Sequence, residues 1–150
     1  KICDAIACLP GHVGEQSDAP SAYTQSELYE GHEQVDTWIF LPEDQWPASW
    51  RGKYKRPVCK LRLALYGHPL AGTFWEKHCQ KILVGCGFRM IPHLECCYYH
   101  HFLRVFLTVF VDDFKLAGPR DSVKEAWKLI GQSIDLLPGA LAPPWPCPMG

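Results

Sequence analysis

Apolar residues recur at helical spacing in two segments of the chain. The first segment covers residues 70–86 and stops at Gly87, a residue that commonly ends helices. The second covers residues 122–135 and opens with Ser122 and Glu125, which match the capping-box pattern of a helix start. Because each segment keeps its apolar positions on one face, both predict amphipathic helices packed against a core.

Short apolar runs predict a set of strands. Residues 96–100, 104–111 and 114–117 follow one another with brief interruptions, and residues 37–41 form an earlier, isolated run. The run at 104–111 is apolar on both faces, as expected of a strand buried in a sheet. We therefore predict an α+β fold, an antiparallel sheet with the helices packed on one of its faces.

The two ends of the chain differ from the middle in composition. Residues 1–17 contain helix and strand breakers and are predicted to be irregular. These breakers are Pro10, Gly11 and Gly14. Residues 138–150 contain five prolines, a density that predicts a Pro-rich disordered tail. Residues 18–137 remain as one folded domain, for which 150 residues with 47% apolar content suffice.

The formal net charge is −1, which argues against a protein that grips nucleic acid by itself. The interval 51–62 is nevertheless basic. It directly follows Trp50 and includes a second aromatic residue, Tyr54. Its basic residues are Arg51, Lys53, Lys55, Arg56, Lys60 and Arg62. Two interpretations stay open: a solvated surface loop, or contacts to template, primer or triphosphate.

Eight cysteines raise the question of disulfides or zinc. No secretory leader precedes them, so we expect reduced and mostly buried thiols. A zinc-binding structural module would use Cys96, Cys97, His100 and His101. Adjacent residues on a strand point to opposite faces, so neither adjacent pair chelates easily.

Two acidic sites suggest metal chemistry. Asp112 and Asp113 stand between two short apolar strands, where they could be turn residues or metal ligands. Asp18 lies much earlier, before a Pro, where an Asp is often a helix cap. If the two sites converge, their oxygens suit Mg²⁺, and two such ions about 4 Å apart can activate an attacking oxygen and stabilise a leaving one.

Four blocks stand out between about residues 16 and 130. They are Gln16-Ser17-Asp18 with Ala22-Tyr23; Trp38 to Glu43; Val58 to Leu61 with Leu65-Tyr66-Gly67, Trp75 and Gly87-Phe88; and Phe110-Val111-Asp112-Asp113 through Gly118. In order and spacing these blocks resemble the reverse transcriptase of copia-type retrotransposons. The resemblance implies a fragment of a polymerase palm and an RNA-directed DNA polymerase that uses two metal ions.

The resemblance also implies roles for individual residues. Asp18 and Asp112 would hold two Mg²⁺ ions, with Asp113 assisting and Mn²⁺ as an alternative metal. Ala19 and Tyr23 would line the nucleotide site, where Tyr23 would lie under the sugar and exclude a 2′-hydroxyl. A plain core aromatic is the other interpretation of Tyr23.

The implied partners are an RNA or DNA template-primer, a deoxynucleoside triphosphate, and the fingers, thumb, ribonuclease H and integrase regions of a polyprotein. The implied location is a cytoplasmic virus-like particle or the nucleus, with neither secretion nor a membrane. Because only 17 residues precede Asp18 and no thumb follows, we expect a fragment that is inactive alone. A degenerate, non-catalytic remnant of a mobile element is the alternative.

Overall fold

The computed structural model describes residues 1–28, 36–138 and 140–141, and within those ranges it contains three α-helices and two sheets. The helices are α1 (Ile2–Ala7), α2 (Ala71–Gly85) and α3 (Arg120–Ile130). The strands are β1 (His12–Asp18), β2 (Trp38–Phe40), β3 (Val58–Lys60), β4 (Phe88–Met90), β5 (Cys97–His100), β6 (Val105–Phe110), β7 (Asp113–Pro119) and β8 (Ala140–Leu141).

The main sheet has six strands in the order β4-β5-β6-β7-β1-β8, and every neighbouring pair is antiparallel. Strands β4 to β7 follow each other along the chain because short turns join antiparallel neighbours. The N-terminal strand β1 then pairs with β7 along its whole length. Strands β2 and β3 form a separate two-stranded sheet. The predicted α+β fold is confirmed.

Helices α2 and α3 cover one face of the main sheet and enclose the principal core. Alternate residues of β7 reach it, so Phe114 and Leu116 are fully buried beneath the helices. Each such side chain contributes about 1.5–3 kcal/mol when removed from water. Val111, the last residue of the apolar run predicted to be a buried strand, is instead 41% exposed, because it lies in the turn after β6.

The two predicted helices thus share one face of the sheet, as expected, and the opposite face is partly covered by α1, a helix that the sequence analysis did not predict. Cys3 of α1 is buried against Phe106 and Ala117 of the sheet. The Asp4 carboxylate of the same helix forms an ion pair with the Lys115 ammonium of β7. A six-residue helix is marginal by itself, so this small apolar cluster and ion pair hold it in place.

The prediction that residues 1–17 are irregular was wrong. Gly11 has a φ of 74° and makes the turn between α1 and β1, so it separates two elements without abolishing either. Gly14 lies inside β1, where a Cβ would stand 2.9 Å from the Ala7 Cβ. The missing side chain at Gly14 is what lets α1 approach the sheet.

The C-terminal elements also differ from the prediction in detail. Helix α3 begins at Arg120 and not at Ser122, because β7 runs directly into it through Pro119, and no side-chain cap forms. The predicted tail, 138–150, contributes the two-residue edge strand β8, paired with β1. The rest of that tail lies outside the described residues apart from Pro138.

Two findings bear on environment. In the described part of the chain no helix is both long and apolar enough to span a bilayer. Among the described cysteines none is joined to another by a disulfide, and only Cys3 and Cys79 are buried, fewer than expected.

The Asp4–Lys115 ion pair makes the docking of α1 depend on pH. The hydrogen bond from Lys115 lowers the pKa of Asp4 below its ordinary value, so the pair stabilises the fold above the unfolded-state pKa of about 4. That contribution is lost as the pH falls through the lower folded-state pKa. Asp4→Asn should therefore destabilise the protein at pH 6, and its deficit relative to wild type should shrink at pH 3. Urea denaturation at both pH values measures this, and an unchanged deficit would contradict it.

Candidate functional site

The turn between β6 and β7 carries two of the three predicted acids. Phe110 and Asp113 pair across the hairpin, which leaves Val111 and Asp112 as its central residues. Val111 has a φ of 55°, and it alone of the two has a positive φ. This is the pattern of a type II′ turn, which usually places Gly at the first central position. A β-branched residue there costs about 1–3 kcal/mol unless the surroundings hold it.

Two hydrogen bonds from distant parts of the chain hold this turn. The buried Trp75 indole of α2 donates its Nε1–H to the Val111 carbonyl at 2.5 Å. The backbone N–H of Ala19, just after β1, donates to the Asp112 carbonyl at 2.8 Å. Since both central carbonyls are bonded, the strained conformation is fixed by its surroundings.

The third acid, Asp18, lies beside this turn at the end of β1. Asp18 is in direct register with Asp113 of β7, so the two side chains point to the same face of the sheet. Such facing residues have Cβ atoms about 4.5–5.5 Å apart. The Asp18 carbonyl also accepts the Leu137 N–H at 2.9 Å, which fixes its backbone from the other side. The fold thus brings Asp18, Asp112 and Asp113 to one end of the main sheet.

These acids form a region of like charge. Asp18 and Asp112 are half-buried and Asp113 is exposed. Like charges directly opposite each other on neighbouring strands destabilise a sheet. Lys115 follows on the same face of β7, but its ammonium is bonded to Asp4 of α1. A bound cation would offset the repulsion between the facing carboxylates.

The donor set fits a hard divalent cation in part. Within the described residues, no three His, Cys, Asp or Glu side chains are already arranged to hold a metal ion. Mg²⁺ does not require such a cage, since it is commonly held by one or two carboxylates together with waters and substrate phosphates. Carboxylate oxygens such as those of Asp18, Asp112 and Asp113 suit Mg²⁺ or Mn²⁺.

The residues of the alternative zinc site do not come together. The Leu103 N–H donates to Nδ1 of His100, so the Nε2–H of the same ring donates to the Cys86 carbonyl at 3.1 Å. Both ring nitrogens are therefore used within the protein. Cys97 packs instead in the cluster beneath α1, while Cys96 lines a pocket on the α2 side. The imidazole of His100 stabilises the β5–β6 connection and is a structural group.

The two predicted nucleotide-binding residues lie close to the turn. Tyr23 belongs to a 3₁₀ helix (Ala22–Gln25), is half-buried, and contacts the Tyr66 ring at a centroid distance of 4.6 Å. Ala19 is 1% exposed and its N–H is bonded to Asp112, so it supports the turn and offers no surface to a nucleotide.

The predicted nucleic-acid-binding residues lie on the small sheet and the loop before it. Arg51, Lys53, Lys55, Arg56 and Lys60 are all exposed. The Arg56 guanidinium lies 4.7 Å from the centre of the Phe40 ring, and Lys60 forms an ion pair with Asp36 at 2.6 Å. The resulting surface is basic and aromatic, a combination suited to bases and phosphates.

Two contributors to this site were absent from the sequence-based prediction. Trp75 was named only as part of a block that carries the family resemblance, and its indole N–H holds the turn. Lys115 was assigned no role, although a lysine between apolar strand residues signals a nearby counter-charge. Comparison of the chain with protein-family models gave no match, and comparison with curated proteins gave none either.

The strain at Val111 predicts an unusual response to glycine. Val111→Gly removes the backbone strain that a side chain suffers at a positive φ. The free energy gained in this way offsets the cost of the lost side-chain contacts and of the greater conformational entropy of the unfolded chain. We expect its free energy of unfolding to equal or exceed that of wild type. The matched control is Val58→Gly in β3, where Val58 is 43% exposed against 41% for Val111 and has no positive φ.

Val58→Gly should lose about 1 kcal/mol, the ordinary cost of Gly in a strand. Chemical denaturation of both variants measures the difference. Equal losses in the two variants would show that Val111 is not strained.

Proposed function

We propose that this chain carries the metal-binding centre of a copia-type reverse transcriptase, an RNA-directed DNA polymerase. The observation that supports this most is the direct register of Asp18 with Asp113, with Asp112 in the adjoining turn. Three carboxylates at one open end of a sheet are a costly arrangement for a purely structural protein. The order and spacing of the four sequence blocks supply the family and the reaction.

Each residue has a role in this proposal. Asp18 and Asp112 hold Mg²⁺, and Asp113 assists them. Bound Mg²⁺ supplies neutralisation of phosphate charge and a lower pKa for an attacking primer hydroxyl. The β1–β7 register sets Asp18 against Asp113, and the hydrogen bonds from Trp75 and Ala19 hold the Asp112 turn. Such preorganisation lets the site act without rearranging its backbone.

The substrates follow from the same proposal. An RNA or DNA template-primer contacts the basic and aromatic surface around Arg56 and Phe40, and Tyr23 lies under the sugar of the incoming deoxynucleotide. The net charge of −1 predicts weak template affinity for this chain alone. We therefore propose that the fingers, thumb, ribonuclease H and integrase regions act with it, in a cytoplasmic particle or the nucleus.

Metal binding can be measured through stability. Mg²⁺ or Mn²⁺ at ten times its dissociation constant should stabilise the wild-type chain by about 1.4 kcal/mol. Asp113→Asn removes the facing like charge, so without metal it should be more stable by about 0.2–1 kcal/mol, and it should respond less to metal. Glu15→Gln is the matched control, because Glu15 lies on β1, the partner strand of β7, but is paired with Leu116 and so points to the opposite face of the sheet.

Thermal denaturation with and without metal measures the stability of the wild-type chain, of Asp113→Asn and of Glu15→Gln. A metal response that is the same in Asp113→Asn and wild type would place the ion elsewhere. A wild-type chain that does not respond would favour the degenerate remnant.

Primer extension tests the reaction itself. On poly(rA) with an oligo(dT) primer, dTTP and Mg²⁺, we expect at most low incorporation by this chain, rising as salt is lowered. Asp112→Asn should give none, while Glu15→Gln should match wild type. Incorporation that survives in Asp112→Asn would contradict the assigned centre. Metal binding without incorporation would show that the centre needs the other regions of the polyprotein.

A further inference from the structure

After α3 the chain returns to the end of β1 through residues 134–137, the return segment. Ile134 is fully buried and anchors this segment in the principal core. The Leu137 N–H donates to the Asp18 carbonyl at 2.9 Å, and the Ser17 hydroxyl donates to the Leu137 carbonyl at 2.5 Å. The backbone of Asp18 is therefore held by a part of the chain that is distant from it in sequence.

One side chain ties the return segment to the residues that follow Asp18. Gln25 is half-buried at the end of the 3₁₀ helix that carries Tyr23. Its side-chain nitrogen donates to the carbonyls of Pro20 and Asp135, each at 3.0 Å. Its side-chain oxygen accepts the Asp135 N–H at 2.8 Å. The Gln25 amide thus uses its nitrogen twice and its oxygen once in a single junction.

These hydrogen bonds close a ring around Asp18. The ring runs along the chain from Asp18 to Pro20 and crosses the Gln25 amide to Asp135. It then follows the return segment to Leu137 and closes at the Asp18 carbonyl. A closed ring restricts the Asp18 backbone more than separate bonds would, because one member can move only if the others move with it.

We propose that Gln25 is a positioning residue for the metal site, and that its amide keeps the Asp18 carboxylate in place opposite Asp113. Gln25 contacts neither metal nor substrate in this assignment and acts through the backbone of Asp18. The inference rests on the proposed function, because the metal affinity that Gln25 supports is that of the proposed Mg²⁺ site. Since the ring joins the return segment to that site, metal binding and docking of the return segment strengthen each other.

Amide hydrogen exchange on the full chain tests the ring without any metal. Gln25→Met keeps the approximate length of the side chain and removes all three of its hydrogen bonds. We expect the amides of Ala19 and Leu137 to exchange about tenfold faster in this variant. The Val109 amide, bonded to the Cys96 carbonyl outside the ring, should change less. Unchanged exchange at Ala19 and Leu137, or an equal acceleration at Val109, would overturn the proposal.

Thr24→Val is the matched control for this substitution. Thr24 lies in the same 3₁₀ helix and is half-buried, and its hydroxyl donates to the Ser21 carbonyl at 2.8 Å, a bond that does not involve the return segment. The variant therefore removes a hydrogen bond from the helix and leaves the ring intact. We expect the Leu137 amide to exchange as in wild type. An acceleration equal to that in Gln25→Met would assign the effect to the helix and refute the role of Gln25.

A Mg²⁺ titration connects the ring to the proposed metal site. The amide signals of Asp18 and Asp113 in a ¹H–¹⁵N NMR spectrum report binding. We expect Gln25→Met to bind Mg²⁺ about tenfold more weakly than wild type or Thr24→Val, the usual cost of losing a group that orients a metal ligand. Saturating Mg²⁺ should also slow exchange of the Leu137 amide in wild type and have less effect in Gln25→Met.

The titration separates this inference from the proposed function. Equal Mg²⁺ affinities in wild type and Gln25→Met would overturn the positioning role and leave the metal site supported. A wild-type chain that binds no Mg²⁺ would refute the proposed function and, with it, the role of Gln25 in metal binding. Weaker binding in Gln25→Met alone, together with faster exchange at Leu137, is the result that supports both.

Discussion

The turn between β6 and β7 depends on two hydrogen bonds that join three separate parts of the chain. Trp75 from α2 bonds the Val111 carbonyl, and Ala19 after β1 bonds the Asp112 carbonyl. Each is worth about 0.5–1.5 kcal/mol net, enough together to offset much of the backbone strain at Val111. Without them, a hairpin with a β-branched residue at positive φ would relax, and the position of Asp112 relative to Asp18 would be lost.

The same region places two carboxylates, Asp18 and Asp113, directly opposite each other on neighbouring strands, although the strand pairing does not require acidic residues there. Asp18 and Asp113 could each be replaced by a neutral residue without disturbing the strand pairing that places them together. The one lysine that shares this face of β7 is held by Asp4, and that ion pair anchors α1. The charge on Lys115 therefore serves the docking of α1 and is not directed at the facing carboxylates of Asp18 and Asp113.

Local sequence patterns correctly predicted the elements that show an apolar face or an apolar run of their own. The helical spacing in 70–86 gave α2 almost to the residue, and the apolar runs around Asp112 gave the β6–β7 hairpin. Helix α1 and strand β1 were missed because Gly11 and Gly14 look like breakers in isolation. Their roles depend on contacts with other elements, since Gly14 makes room for Ala7. The start of α3 was predicted two residues too late. Strand β7 ends at Pro119 and α3 begins at the next residue, Arg120, with no intervening loop.

The candidate site shows why single-residue rules failed at some positions and succeeded at others. Asp112 and Asp113 could be singled out as candidate ligands because they stand between two apolar strands, and the resemblance linked Asp18 to them. The Trp75 bond could not, since an indole in an amphipathic helix looks the same whether its N–H is bonded or not. Val111 breaks the rule for its turn position, and the facing acids break the rule for strand pairs. Natural sequences keep such violations mainly where function requires them, and here two occur within a few residues of each other. Their coincidence at a turn fixed from both sides is the structural observation on which the proposed metal site rests.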